Sequence, residues 1–345
     1  MIKEISGRDF SVIGIGEVML RLSPVGKERI SNSEAFDKKA GGSELNVVSG
    51  ISMLGLRTGI ITKLPKNEIG KFARNKIRYS GTSDDFVTYD DSDTKRLGIY
   101  YYESGAYPRQ SVVSYDRAAS SFTTFKKEEL PERVYSSASV FHTSGITLAL
   151  GKEIRENVVS MMQKFHDAGA LISFDVNYRA ALWDEDKARE VIKEILPLVN
   201  ILFVSEETLK RMFGMTGMLP EIHKSFAKIY PNLEIIASTK RRVISPVKHS
   251  FTSLVYDARE DVHFEEAEYE NIDVVDRIGS GDAYVAGALY GLIRHRDLRK
   301  MAEYGDAMAA LKNTIPGDTT QCDLVDIDRI IKNHTTEGPK SEMVR

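Results

Sequence analysis

The chain reads as an α/β fold, with a mostly parallel sheet covered on both faces by helices. Three observations predict it. Short β-branched runs alternate with stretches whose apolar residues recur at helical spacing, the pattern of strand–helix–strand units. Leu171–Val176 is mostly apolar, broken by Ser173 and by Asp175 near its end, as strands buried on both faces are. Glycine-rich turns open helices at two places, where parallel sheets put their ligand sites.

The elements follow in order. Val12–Gly16 is an apolar strand ending in glycine, and Glu44–Leu56 carries Leu45, Val48, Ile51 and Leu54 on one helical face. Gly59–Leu64 is a strand and Glu68–Tyr79 a helix. From Asp85 to Asp116 the rhythm changes: Leu97–Tyr102 and Ser111–Tyr115 are strand-like with no helix between them. This predicts a β insertion, and Glu17–Phe36 joins it. The alternation resumes with a strand at Ser139–His142, a helix at Lys152–Asp167 and a strand at Leu171–Val176. Next come a helix at Asp184–Leu196 with Asp184 as its cap, and strands at Ile201–Val204 and Glu234–Ser238. Two or three β runs lie between Val243 and Val275, followed by helices at Asp282–His295 and Leu298–Leu311. The domain is expected over 1–335, with a polar tail over 336–345.

Composition narrows the function. Of 345 residues, 47 are Lys or Arg and 50 are Asp or Glu, a net charge of −3. So near neutrality the chain lacks the basic footprint of a nucleic-acid binder and a polybasic membrane patch. A single cysteine, Cys322, excludes an intramolecular disulfide and a Cys-rich zinc site. Met1–Phe10 has no signal-peptide core, and no apolar run approaches roughly 18 residues. A cytoplasmic globular protein is expected.

Three constellations can carry chemistry. Val274–Ala283 runs from a strand through Gly279-Ser280-Gly281 into a helix that begins near Asp282. Glycines let backbone N–H groups crowd around an anion, and the helix N-terminus adds partial positive charge. A turn capped by an aspartate would look the same in a short motif. Ala40–Asn46, containing Gly41-Gly42, opens a second helix. Phe174–Arg179 sits at a strand end, where Arg179 could meet an anion or pair with an acid on the surface. Gly14-Ile15-Gly16 lacks its third glycine, Met19 standing there, which rejects a dinucleotide fingerprint. The insertion adds Arg96, Arg109 and Arg117 among several tyrosines. A guanidinium matches a carboxylate and a tyrosine hydroxyl matches a sugar hydroxyl, although tyrosines also simply favour strands.

Taken together, Ala40–Asn46 and Asp276–Ala288, in that order and at that separation, resemble the ribokinase-like (phosphofructokinase-B type) carbohydrate kinases over residues 10–320. The nearest resemblance is to the 2-keto-3-deoxygluconate kinases. It rests on Gly16–Pro24, Ser114–Ala118, Phe141–Ile146, Asp175–Arg179 with Leu182-Trp183, and Asp276–Gly279. The resemblance implies a three-layer α/β/α Rossmann-like domain with a small β lid, here about 17–38 and 85–117, often used to dimerise. It implies ATP-dependent phosphorylation of a sugar's primary alcohol with Mg²⁺, and it allows a monovalent cation. By position, Asp282 becomes the base and the amides of Gly279, Ser280 and Gly281 the anion hole. Gly42, Asn46, Tyr100, Tyr115, Arg117, Ile146 and Arg179 would line the sugar-acid site. Ser205, Thr239, Lys240, Arg241, Gly279, Gly281 and Asn313 would lie along the nucleotide.

Two departures stand out. Where many members carry Asn-x-x-Glu, this chain has Ser205-Glu206-Glu207-Thr208. The magnesium ligands are therefore open, with Glu206 or Glu207 as substitutes through water. Ser238–Arg242 replaces a glycine-containing turn of the nucleotide site, so basic side chains take the role of amides. The expected activity is phosphorylation of 2-keto-3-deoxygluconate to its 6-phosphate. A neutral-sugar kinase, fructokinase- or ribokinase-like, and a catalytically inactive sugar-acid sensor are the alternatives. The small β layer has exposed edges, so a homodimer or higher homo-oligomer is expected, which sedimentation would measure.

Overall fold

The computed structural model describes residues 8–335 apart from 93 and 246. Most of the N-terminal stretch read for a leader, and the tail over 336–345, lie outside them.

The first half of the main sheet comes from β1 (Phe10–Ile15), β4 (Thr58–Pro65), β5 (Val87–Asp90), β8 (Ala138–Ser144) and β9 (Leu171–Asp175). The second half comes from β10 (Ile201–Phe203), β11 (Ile235–Ser245), β12 (Lys248–Asp257), β13 (Val262–Glu265) and β14 (Tyr269–Asp273). Their order is β13-β12-β11-β10-β9-β8-β1-β4-β5, with β14 also paired to β12. From β11 to β5 every pairing is parallel, while β12, β13 and β14 close that end antiparallel. A separate sheet, β3-β2-β6-β7, is formed by β2 (Met19–Pro24), β3 (Phe36–Gly41), β6 (Gly98–Glu103) and β7 (Val112–Asp116).

Helices cover both faces of the main sheet. The longer ones are α1 (Ser43–Met53), α2 (Glu68–Tyr79), α4 (Lys152–Asp167), α5 (Glu185–Ile195), α7 (Leu219–Ile229), α8 (Ser280–His295), α9 (Leu298–Asn313) and α10 (Leu324–Thr335). The one-turn α3 (Gly145–Leu148) and the short α6 (Glu206–Arg211) sit at strand ends. One core packs Leu45, Ile51, Leu289, Met301 and Met308 beneath the sheet, and a second packs Phe141, Val158, Phe165, Ile192 and Phe226 above it. Two apolar layers of this kind are what a sheet buried on both faces requires. The cap expected at Asp184 is present, and Asn67 supplies another. The Asp184 carboxylate accepts the Lys187 amide, and the Asn67 side chain accepts those of Ile69 and Gly70.

Three expectations need correction. The change of rhythm places the stretch from Asp85 in the insertion, but Val87–Asp90 pairs parallel with β4 as the edge of the main sheet. Only residues from Gly98 onward, and β2 and β3, build the small sheet. The strand expected over Glu234–Ser238 runs on to Ser245, because β12 folds back on it as a long antiparallel hairpin. The helices α7 and α10 had no counterpart in the sequence reading.

Candidate active site

The site lies at the carboxyl ends of the parallel strands, under the small sheet. A cavity of about 550 Å³ is lined from below by Gly42, Ser43, Asn46, Asp175, Arg179 and Asp282, and from above by Met19, Tyr100 and Tyr115. Ile146, on α3, closes one side. A second cavity of about 480 Å³ adjoins it, lined among others by Ser205, Glu207, Thr208, Thr239, Tyr284 and Val285. Asp175, Arg179, Arg241 and Gly281 border both. These are the sizes of ordinary ligand pockets.

Asp282 stands in the first turn of α8. Its carboxylate accepts hydrogen bonds from the Ser43 hydroxyl at 2.8 Å and the Asn46 amide at 2.7 Å. Asn177 donates in turn to Ser43 at 3.0 Å. Both partners favour the charged carboxylate, but burial outweighs them and raises its pKa above the ordinary value. Asp175 is pushed up to about 7, first by burial and then by the charge of Asp282.

The turn before α8 needs glycine at one place. Gly279 has φ +81°, and a Cβ there would stand 1.9 Å from the Asp318 carbonyl oxygen. Gly281 has open space around it and no left-handed φ, so its glycine keeps room clear between the two cavities rather than relieving strain. The amide set differs from the expected one. Ser280 N–H donates to the Arg277 carbonyl at 3.3 Å, whereas those of Gly279, Gly281 and Asp282 have no partner among the described residues. Free amides at the start of a helix are a ready anion site.

Several expected residues stand elsewhere. Arg117 donates through Nε and Nη2 to the buried Glu17 carboxylate, the former at 2.9 Å, and does not line the cavity. Tyr100 lines it, but its hydroxyl donates to the Asp318 carboxylate. Lys240 points to the opposite face of β11 from Arg241, as alternation demands, and faces Glu265 at 3.6 Å. Asn313 is buried at the end of α9; its carbonyl accepts the amides of Val275 and Asp276, and its side chain donates to Ala309. It holds the strand end and borders neither cavity.

Sequence reasoning missed Ser43, Arg277 and the buried Arg21. Ser43 and Arg277 lie inside the two motifs and could have been found there. Arg21 has no local signal. Its guanidinium pairs with Asp276 at 2.6 Å and Asp318 at 2.8 Å, joining three distant segments. For Mg²⁺, no group of three or more His, Cys, Asp or Glu among the described residues could hold a metal by itself. Mg²⁺ often takes only one or two carboxylates beside phosphate oxygens and water. Asp175, a buried carboxylate whose pKa is raised first by burial and then by Asp282, and Glu207 fit that donor set.

A parallel sheet with a glycine turn at a strand end, beside an aspartate that lines a cavity under a small sheet, is an arrangement that suits transfer of an anionic group. The chain belongs to the pfkB family of carbohydrate kinases, whose profile matches residues 9–323. It is 32% identical over 321 residues to 2-dehydro-3-deoxygalactonokinase from Haloferax volcanii, covering 93% of this chain and 96% of that one. The crystal structure of 2-dehydro-3-deoxygluconokinase from Thermotoga maritima superposes with a TM-score of 0.87 at 32% identity, over 93% of this chain and 99% of that one. A PfkB family carbohydrate kinase from Listeria grayi gives a TM-score of 0.88 at 33% identity, over 94% and 99%. Among the described residues no helix is long and apolar enough to cross a membrane.

Proposed function

We propose that this kinase transfers the γ-phosphoryl group of ATP to the primary hydroxyl of 2-keto-3-deoxygluconate or its galactonate epimer. The carrying observation is electrostatic. Arg179, Arg241 and Arg277 all border the cavity that holds Asp282, and none forms an ion pair among the described residues. Arg241 also feels the repulsion of Arg277, beneath a larger effect of burial, and its pKa is lowered. Converging guanidiniums with no carboxylate at ion-pair distance suit a substrate that brings its own carboxylate beside a triphosphate. Two of the similar proteins carry names of sugar-acid kinases, which agrees.

The sugar occupies the cavity under the small sheet, and the triphosphate the adjoining one. The Asp282 carboxylate takes the proton of the primary hydroxyl as its oxygen bonds the γ-phosphorus and ADP leaves. The free amides of Gly279, Gly281 and Asp282 receive charge spreading over the phosphoryl oxygens. Mg²⁺, held by Asp175 or Glu207 with the phosphates, would neutralise more of it. The small sheet acts as a lid that keeps water from competing as acceptor.

ADP release from ATP, measured with each of a panel of sugars and sugar acids as acceptor, tests the reading. The acids should exceed fructose and ribose in kcat/KM by about tenfold or more, the worth of one charged hydrogen bond. A preference for fructose or ribose would establish a neutral-sugar kinase instead. No ADP release with any sugar, together with tight binding of the acid, would mark an inactive sensor.

A further inference from the structure

Lys312 is fully buried, at 0% exposure, one residue before the end of α9. Its ammonium donates to two backbone carbonyls, those of Asp276 and Ile315, each at 3.0 Å. An ammonium removed from water is costly unless its charge is used, and neither carbonyl needs a cation to complete a helix or a strand. Burial lowers its pKa to about 8 against the pull of Asp276 and Asp318, so at neutral pH it is still mostly charged.

The two carbonyls belong to the two walls of the anion turn. On one side, the Asp276 carboxylate accepts the Ile278 amide at 3.0 Å, the Gly317 amide at 2.9 Å and Arg21 at 2.6 Å. On the other, Ile315 leads to Asp318, whose carbonyl lies where a Cβ of Gly279 would be. The ammonium thus clamps the segment entering the turn to the segment that backs it. With Arg21, Asp276 and Asp318, it completes a buried set of two cations and two carboxylates.

We propose that Lys312 is a built-in monovalent cation that positions the anion-binding turn, so that catalysis needs no added potassium or sodium ion. A free monovalent cation at this place would bind these two carbonyl oxygens, and the tethered ammonium already holds them. This rests on the kinase reading of the turn, and Lys312 is a positioning residue, since it borders neither cavity.

The test has three arms. For the wild-type enzyme, kcat should agree within about twofold whether the only added monovalent cation is K⁺, Na⁺ or tetramethylammonium, as salt screening alone would allow. Stimulation by K⁺ beyond that range would overturn the proposal without any variant. Lys312→Met, which keeps the length and removes the charge, should lose about tenfold or more in kcat while the sugar KM stays within about threefold. Unchanged kcat in a folded Lys312→Met protein would overturn it. Lys312→Ala leaves space for a small cation. NH₄⁺ or methylammonium, but not tetramethylammonium, should raise its melting temperature and restore about threefold or more of its kcat, as occupancy of a vacated cation site requires. Should neither readout respond, the cation role is wrong. A rise in melting temperature without recovery of rate would keep the cation site but overturn its link to catalysis, and with it the role given to the turn.

Discussion

In the small sheet, Arg96 pairs with Asp116, Arg109 with Glu103 and Arg117 with Glu17. At the strand ends of the main sheet, Arg179, Arg241 and Arg277 border the cavities with no carboxylate at ion-pair distance among the described residues. The two sets look alike as sequence, each an arginine near tyrosines or glycines. Their physical states are opposite. A paired guanidinium has spent its fork on the protein and orders the sheet, whereas an unpaired one keeps its donors for a ligand.

The largest expected effect lies where the regions meet, at Asp282. Asp282→Asn keeps the size and one of the two oxygens that accept from Ser43 and Asn46, and removes the proton acceptor. Its kcat should fall by about 10²–10⁴-fold with the sugar still bound, as measured by ADP release and by calorimetric titration. The wild-type rate should rise with pH through a pKa above 3.8, because burial holds the carboxyl protonated longer and only the ionised form accepts the proton. Wild-type turnover in the Asn variant would remove Asp282 from the chemistry.

The next pair of substitutions tests the comparison directly. Arg117→Ala leaves the Glu17 carboxylate, whose side chain is 2% exposed, without its partner. Breaking a buried pair costs about 3–5 kcal/mol, so thermal unfolding should move far down while the ratio of acid to neutral-sugar kcat/KM stays put. Arg179→Ala should do the reverse, with near-normal stability and a loss of about tenfold in kcat/KM for the acid alone. If Arg117→Ala unfolds normally and loses the preference for acid, the regions have exchanged roles and Arg117 reads the carboxylate.

The alternating half of the fold was legible because each element obeys a local rule. Glu68–Tyr79 and Lys152–Asp167 appear with the bounds their apolar spacing predicts, and Asp184 caps as its side chain demands. The residues around Asp282 were legible because Gly279-Ser280-Gly281 and Ala40–Asn46 are contiguous motifs. The rest depends on partners distant in sequence. Nothing near Val87 says that it pairs with Thr62 instead of the insertion. Nothing near Tyr100 says that its hydroxyl will meet Asp318, 218 residues away, or that Arg21 will reach Asp276 and Asp318. Buried ion pairs have no periodicity, so the sequence shows the charges and not their assignment.

The smallest effect separates neighbours on one strand. Lys240 and Arg241 were both expected along the nucleotide, but alternation on β11 sends Lys240 toward Glu265 and Arg241 into the two cavities. Arg241→Ala should raise the KM for ATP about fivefold at low ionic strength, the worth of roughly 1 kcal/mol from a charge that solvent still reaches. Added salt should shrink that difference, because screening weakens the wild-type contact while the alanine variant has none to lose. Lys240→Ala removes an exposed pair on the far face and should leave the ATP KM within about twofold at every salt concentration. Initial rates over an ATP series at two salt concentrations decide it. Equal losses for the two variants would mean that the hairpin acts through its net charge and that alternation does not matter. A loss only in the lysine variant would place the nucleotide on the other face of the hairpin.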